Sequence, residues 1–264
     1  MPISIATWNI NSVRIRLDII RRFVDTHRPD VLCLQETKVA DELFPRQFFE
    51  ELGYRHMAIH GQKAYHGVAT LSRIPLEQPD RRHWCGKEDA RHISVGLPGG
   101  VTLHNFYVPA GGDIPDREVN EKFGHKLDFV DEMTEWFRGT GADARTILVG
   151  DLNIAPLDCD VWSHKQLLKV VSHTPIETEK LTACLEGTPF IDVARKLTPP
   201  PAPIYTWWSY RAKDWRANNR GRRLDHIWAT PPLENAILSN RVFEEFRDGI
   251  GTSDHVPVMA EFDI

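Results

Sequence analysis

No stretch of this chain approaches the run of about 18 apolar residues that a membrane-crossing helix needs, and no low-complexity tract or repeat of fixed period interrupts it. Cysteine is scarce, 4 in 264 residues. Cys33, Cys85, Cys159 and Cys184 lie too far apart for a paired zinc site or a disulfide scaffold, so they read as reduced thiols. Bulk positive charge is missing too: Lys plus Arg total 32 against 37 Asp plus Glu, a net charge of -5. A nucleic-acid partner would therefore have to be met by a local basic patch. No charged-then-apolar leader precedes the Ile3, Ile5, Trp8 alternation. The expectation is a soluble, unexported, cytoplasmic monomer with no membrane partner.

What is present suffices for a folded core: 41% of the chain is hydrophobic, with 8 Trp and 12 Phe. Ile3 to Trp8 alternates like a strand, and Ile15, Ile19, Ile20, Phe23 and Val24 follow at helical spacing until Pro29 and Asp30. Val31 to Leu34 reads as a buried strand, and Tyr54 to Ile59 and Val68 to Leu71 as two more. Ile93 to Leu97 and Val101 to Val108 should pair across Pro98-Gly99-Gly100. Val119, Phe123, Leu127, Val130, Met133 and Phe137 predict an amphipathic helix over 117–138. Strands follow at Ile147 to Val149, Tyr205 to Trp208, Leu224 to Trp228, Ala236 to Leu238 and Val256 to Phe262. The proline cluster at 199–203 reads as a loop inside one domain, because the chain beyond it is marginal for a second. Strands outnumber helices, which suggests two sheets packed face to face with helices outside.

The informative pattern is polar. Asn9 and Asn11 close the first strand, and Gln35-Glu36 closes the second. Asp151-Leu152-Asn153 closes a central one, Asp225 opens another, and Asp254-His255 precedes the last. Strand ends are where a rigid scaffold presents reacting groups. Singly, each fragment has an ordinary reading as surface carboxylate, Asx turn or cap. Together, carboxylates and carboxamides with one imidazole suit a hard, oxygen-preferring cation such as Mg²⁺ better than zinc, and Mg²⁺ suggests a phosphate substrate. Between 211 and 223 lie Arg211, Lys213, Arg216, Arg220, Arg222 and Arg223, interleaved with Trp215 and preceded by Trp207, Trp208 and Tyr210. This is a basic, aromatic patch of the kind that holds DNA.

The segments Trp8-Asn9-Ile10-Asn11-Ser12-Val13-Arg14, Leu34-Gln35-Glu36-Thr37-Lys38, Gly150-Asp151-Leu152-Asn153, Arg223-Leu224-Asp225-His226 and Thr252-Ser253-Asp254-His255 resemble, in this order, the motifs of the exonuclease III family of abasic-site endonucleases. The resemblance implies a four-layered α/β sandwich, two packed, mostly antiparallel β-sheets flanked by helices, as one domain over 1–264. It implies a Mg²⁺-dependent nuclease, with Mn²⁺ able to substitute, acting on double-stranded DNA that is abasic or 3′-blocked. Metal ligands would come from Asn9, Glu36, Asp151, Asn153, Asp254 and His255. Catalytic roles would fall to Tyr107, Asp151, Asn153, Asp225 and His255, with Asp225 fixing the tautomer of His255. DNA would be held by Asn11, Arg14, Lys38, Trp207, Arg211, Arg222 and Leu224, with Arg16 as a further phosphate contact. His226 should face away from Asp225, because neighbours on a strand point to opposite sides. Arg222 and Ala110 depart from the family pattern, which usually has an apolar and a polar residue there. Alternatives are another phosphoesterase of the same superfamily, or a DNA-binding member without catalysis.

Overall fold

The computed structural model describes residues 2–141, 143–212 and 214–264. Two six-stranded sheets form its centre. The first contains β1 (Pro2–Asn9), β2 (Val31–Gln35), β3 (His56–His60), β4 (Val68–Ser72), β11 (Ile237–Val242) and β12 (Val258–Asp263), in the order β11-β12-β1-β2-β4-β3. The second contains β5 (Glu77–Asp80), β6 (His92–Leu97), β7 (Val101–Tyr107), β8 (Thr146–Asp151), β9 (Ile191–Asp192) and β10 (Asp225–Ala229), in the order β5-β6-β7-β8-β10-β9. Each sheet has one parallel pair, β1 with β2 and β7 with β8, and its other pairings are antiparallel.

Side chains alternate between two apolar layers along each central strand. Ile3 and Ile5 of β1 meet Ile147 and Val149 of β8 and Ile227 of β10 between the sheets. Ala6 and Trp8 face outward, against Ile20, Phe23 and Val24 of α1 (Leu17–His27) and Phe49 of α2 (Arg46–Glu51). On the other outer face, Leu148 packs with Phe129, Val130, Met133 and Phe137 of α3 (Glu121–Arg138). Four layers result, helix, sheet, sheet, helix, as the resemblance implied. None of the helices is long and apolar enough to cross a membrane, among the described residues.

Several expected elements change. The helix expected over 117–138 begins at Glu121, because the Asn120 side chain accepts the Lys122 N–H at 3.1 Å and caps it, leaving Val119 exposed. Tyr205 to Trp208 is not a strand. Its backbone makes only isolated bridges, Trp207 with Arg222 and with His255, which tie a loop to the edge of the site. The strand expected at Ala236 to Leu238 runs on to Val242, and Ala236 belongs to a preceding 3₁₀ turn.

Candidate active site

Strand register builds half of the site. Tyr107 of β7 pairs with Asp151 of β8, and Asp225 of β10 pairs with Asp151 from the other side, so the three stand in a row across one rim of the second sheet. In the first sheet Asn9 pairs with Gln35. Because β1 and β2 are parallel, the loops after them leave the same rim, and they run side by side: Ile10 N–H donates to Gln35 O, Ser12 N–H to Glu36 O and Val13 N–H to Thr37 O, at 2.7–3.1 Å. Asn9 and Glu36 thus face the row on the second sheet.

The backbone here is unusual. Asn11, Glu36, Lys38 and Asn153 all adopt left-handed conformations, with φ of 47°, 51°, 53° and 55°. Each such residue costs about 1–3 kcal/mol, whereas each fully buried Val, Leu, Ile or Phe contributes about 1.5–3 kcal/mol. The three apolar layers therefore hold a strained rim in place. Gly150 serves the same end: with φ of 145°, it lets β8 pass where an added Cβ would lie 2.0 Å from the Phe106 carbonyl oxygen.

The polar groups interlock. Asn9 Nδ2 donates to Glu36 Oε1 at 3.0 Å and to Asp151 Oδ2 at 2.8 Å, while its Oδ1 accepts the Asn11 N–H at 3.0 Å. Asn153 donates through its backbone to Asp151 Oδ1 and through Nδ2 to Asp151 Oδ2 and Val108 O. Tyr107 is buried, and its hydroxyl donates to Glu36 Oε1 at 2.8 Å. Lys38 Nζ reaches Glu36 Oε2 at 2.7 Å and donates to Asn11 Oδ1 at 2.6 Å. Asp254 accepts from Asn11 Nδ2 and from Trp207 Nε1. His255 Nδ1 meets Asp225 Oδ2 at 2.8 Å, and its Nε2 lies 3.6 Å from Asp151 Oδ2. Thr206, to which the sequence assigned no role, donates its hydroxyl to Asp225 Oδ2 at 2.6 Å and accepts the Leu224 and Asp225 N–H groups. Contacts of 3.0, 2.8 and 3.6 Å therefore lead from Glu36 through Asn9 and Asp151 to His255.

Burial opposes every charge in this cluster, and the neighbours decide each outcome. Burial would lower the pKa of His255, but the carboxylates of Asp225 and Asp151 outweigh it and raise the value to about 10. Burial raises Asp151 to about 7, with Asp225 and Glu36 adding to the rise and His255 opposing it. Glu36 falls below its ordinary value because the Lys38 ammonium, with hydrogen bonds from Asn9, Lys38 and Tyr107, overcomes desolvation. Tyr107 is pushed well up by burial and the Glu36 charge, so its hydroxyl stays a donor. A buried carboxyl held near 7 beside two further carboxylates marks a site short of positive charge. The donors left at the rim are the carboxylates of Glu36, Asp151 and Asp254; Asp225 and His255, which present ligand atoms within 4.8 Å of Asp151, are already engaged with each other. These residues fit a divalent cation that prefers oxygen.

An open cavity of about 430 Å³ is walled by Glu36, Asn153, Trp207, Arg222, Leu224 and His255. It adjoins two others. One, of about 580 Å³, is bounded by Trp208, Arg211 and Arg220, and the other, of about 480 Å³, by His66, Lys87, Arg91, Lys122 and His125. The second basic cavity has no motif in the sequence, since its residues come from four separate stretches.

The expected basic patch divides. Arg223 is buried against Asp160 and Asp192, at 2.7 Å from each, and is structural. Arg216 pairs with Asp248 on the surface. Lys213 lies outside the described residues. Arg211, Arg220 and Arg222 remain for a ligand; Arg220 and Arg222 lie over the rings of Trp162 and Trp207 at 4.5 and 4.9 Å. Arg14 is exposed. Arg16 is not a free phosphate contact: it is buried and donates to Asn11 O and to the Tyr210 hydroxyl, bracing the loop after β1. His226 points away from Asp225, as expected, and its Nε2 lies 2.9 Å from Ile154 O in the core.

The sequence profile of the Endonuclease/Exonuclease/phosphatase family matches residues 6–255. The chain is 33% identical over 267 residues to exodeoxyribonuclease III of Haemophilus influenzae, covering 97% of this chain and 98% of that one. An AP endonuclease from Archaeoglobus fulgidus superposes with a TM-score of 0.91 at 33% identity, covering 99% of this chain and 100% of the other. The 3′ phosphatase NExo from Neisseria, solved bound to a product DNA hairpin, does so with a TM-score of 0.90 at 30% identity, over 99% and 100% of the two chains. With its strand order, its rim of acids and its full-length likeness to these enzymes, the chain belongs to the Endonuclease/Exonuclease/phosphatase family.

Proposed function

We propose that this protein is a Mg²⁺-dependent DNA-repair nuclease that hydrolyses phosphodiesters at abasic sites and at 3′ ends, including 3′-blocked ends. The observation that carries the reading is the convergence of Asn9, Glu36, Asp151, Asp225 and His255, from five separate stretches, in one cluster of contacts, of which Glu36 and His255 reach a cavity bordered by Arg211 and Arg222. The relatives are an exodeoxyribonuclease, an AP endonuclease and a 3′ phosphatase, and all three activities break a phosphate ester.

Glu36, Asp151 and Asp254, with amide support from Asn9 and Asn153, would hold the cation. When bound, it polarises the scissile phosphate and offsets charge on the leaving 3′ oxygen. The chain's own groups do the rest. As arranged, Asn9 clamps Glu36 and Asp151 by its amide nitrogen, while its oxygen is engaged by Asn11. Asp151 Oδ2 orients and deprotonates the attacking water. His255, held as a cation by Asp225, offers Nε2–H to a phosphate oxygen, a donor fixed before the reaction begins. Tyr107 fixes Glu36 through its hydroxyl. Trp207 and Leu224 wall the space for a flipped, baseless sugar, which enters without unstacking a base. Asn11, Arg14, Lys38, Arg211 and Arg222 meet the backbone phosphates.

End-labelled duplexes that are abasic, intact or 3′-phosphorylated, incubated with Mg²⁺ and with EDTA, test the reading. Mg²⁺-dependent cleavage of the abasic or 3′-ended duplexes is expected. Turnover that persists in EDTA, or that is confined to small phosphate esters, refutes it.

A further inference from the structure

A second cluster of metal-binding side chains lies apart from the acidic rim, on the segment between Ala155 and Thr174. Asp158 opens a 3₁₀ turn (Asp158–Asp160), His164 opens α4 (His164–Leu167), and His173 sits just before α5 (Pro175–Glu186). His164 Nδ1 lies 2.9 Å from His173 Nε2 and 3.0 Å from Asp158 Oδ1, and the three atoms are mutually within 4.8 Å.

The tautomer of His173 is fixed by its surroundings. Its ring is buried, and Nδ1 lies 2.6 Å from the Ala155 carbonyl oxygen, which only accepts. Nδ1 therefore carries the proton, and Nε2 of the neutral ring turns a lone pair toward His164 and Asp158. Two acceptors, His173 Nε2 and Asp158 Oδ1, thus compete for the single proton that a neutral His164 can place on Nδ1. A metal ion satisfies all three atoms at once.

We propose that Asp158, His164 and His173 form a site for a transition-metal dication of the zinc class, separate from the catalytic cation. Two imidazoles and one carboxylate, with a fourth position open to water, are a zinc-type donor set, and imidazole nitrogen discriminates against Mg²⁺. Tetrahedral bonds of about 2.0–2.1 Å place ligand atoms about 3.3 Å apart. The spacings of 2.9 and 3.0 Å from His164 need open by only a few tenths of an ångström, and Asp158 and His164 are exposed. The hydrogen bond from His173 to the Ala155 carbonyl is the outer support that a ligating histidine ordinarily has.

The site would bear on the active-site wall. Val171 and Ser172, next to His173, line the catalytic cavity, and Arg222 Nη1 donates to Val171 O at 3.0 Å and to Ser172 Oγ at 2.8 Å. A metal joining His173 to Asp158 and His164 cross-links the two ends of this segment and stiffens the wall.

Chelator-treated protein, held in excess Mg²⁺ to fill the acidic site, is titrated with Zn²⁺ by calorimetry and with Co²⁺ by visible absorption. The wild type is expected to take up one zinc ion and to give a tetrahedral cobalt spectrum. His164→Ala and Asp158→Ala, both exposed and so compatible with folding, weaken Zn²⁺ binding by at least about tenfold. Glu36→Gln, which disables the acidic site, leaves it intact. Equal Zn²⁺ binding by wild type and His164→Ala, no uptake by the wild type, or loss of binding in Glu36→Gln each overturns the proposal.

Discussion

Replacing Asp225 with Asn keeps the shape of its side chain and removes its charge, and so isolates what that charge does for His255. The carboxylate lies 2.8 Å from His255 Nδ1 inside a buried site. Two unit charges about 4 Å apart interact with about 4 kcal/mol at an effective dielectric constant of about 20, which corresponds to about 3 pH units. The pKa of His255, now raised to about 10, should therefore fall in Asp225→Asn toward the ordinary histidine range. It should not fall far below, because Asp151 remains 3.6 Å from Nε2. The Asn side chain can still accept from Nδ1–H through its oxygen, and Thr206 can still hold it, so the fold should survive. Long-range ¹H–¹⁵N spectra of the imidazole, recorded through a pH titration of metal-free protein, read the value directly. Turnover on an abasic duplex should fall by roughly 10²-fold or more at pH 8, where the variant has lost its cationic donor. A His255 pKa unmoved by the substitution refutes the assignment of the Asp225 charge as its cause.

Asp151→Asn should lower turnover on an abasic duplex by roughly 10²-fold or more, and near-normal turnover would contradict this. The pH dependence of stability has a definite sign. Asp151 is raised from 3.8 to about 7 and His255 from 6.5 to about 10, so the native state holds extra protons across both windows. The His255 contribution is fully present below about 6.5 and lost as pH rises through about 10, and the favourable Asp151 contribution is lost between 3.8 and about 7. With Asp151 as a ligand, as proposed, Mg²⁺ would displace its proton, so the melting-temperature gain the ion confers should be larger at pH 8 than at pH 5.5, and an equal gain would count against Asp151 as a ligand. Arg222→Leu should raise abasic-site incision relative to 3′ end processing, since the guanidinium spans the cavity from Trp207 to Val171; an unchanged ratio of the two rates sinks that reading. Arg211→Ala should reduce the salt dependence of DNA affinity by about one phosphate contact, a log–log slope change of about 0.9.

Most of what positions the site was legible because it is local. Strand alternation places Ile3, Ile5 and Trp8, and polar residues at the following strand ends mark Asn9, Glu36, Asp151, Asp225 and His255. Their meeting depended on register, which periodicity does not encode. The alternation of Tyr205 to Trp208 looks like a strand, but its backbone partners are Arg222, Asp254 and Val256 and not a ladder. β5 escaped notice because all four of its residues are exposed at a sheet edge. Arg223 read as part of the DNA patch because its partners, Asp160 and Asp192, lie 63 and 31 residues away. α5 did carry a local signal, the Thr174-Pro175-Ile176-Glu177 capping box, but its weak amphipathicity hid it.

Glu177 shows how far the site's support extends beyond the groups that face the cavity. Its buried carboxylate accepts from the Ser172 and Thr174 N–H groups and pairs with Lys126, whose ammonium also donates to the Asn153 carbonyl at 2.7 Å. Lys126 interrupts the apolar face of α3 and is fully buried, an arrangement that would be costly without Glu177. Burial lowers the Lys126 pKa and Glu177 opposes the fall. One ion pair thus joins the helix layer to two loops that border the cavity, Asn153 on one side and Ser172 on the other. The strained Asn153 backbone and the Ser172 contact of Arg222 are held by the same buried charge pair. The rim can therefore keep acids close together without being pulled apart by their repulsion, because its geometry is set from behind, by groups that the substrate never touches.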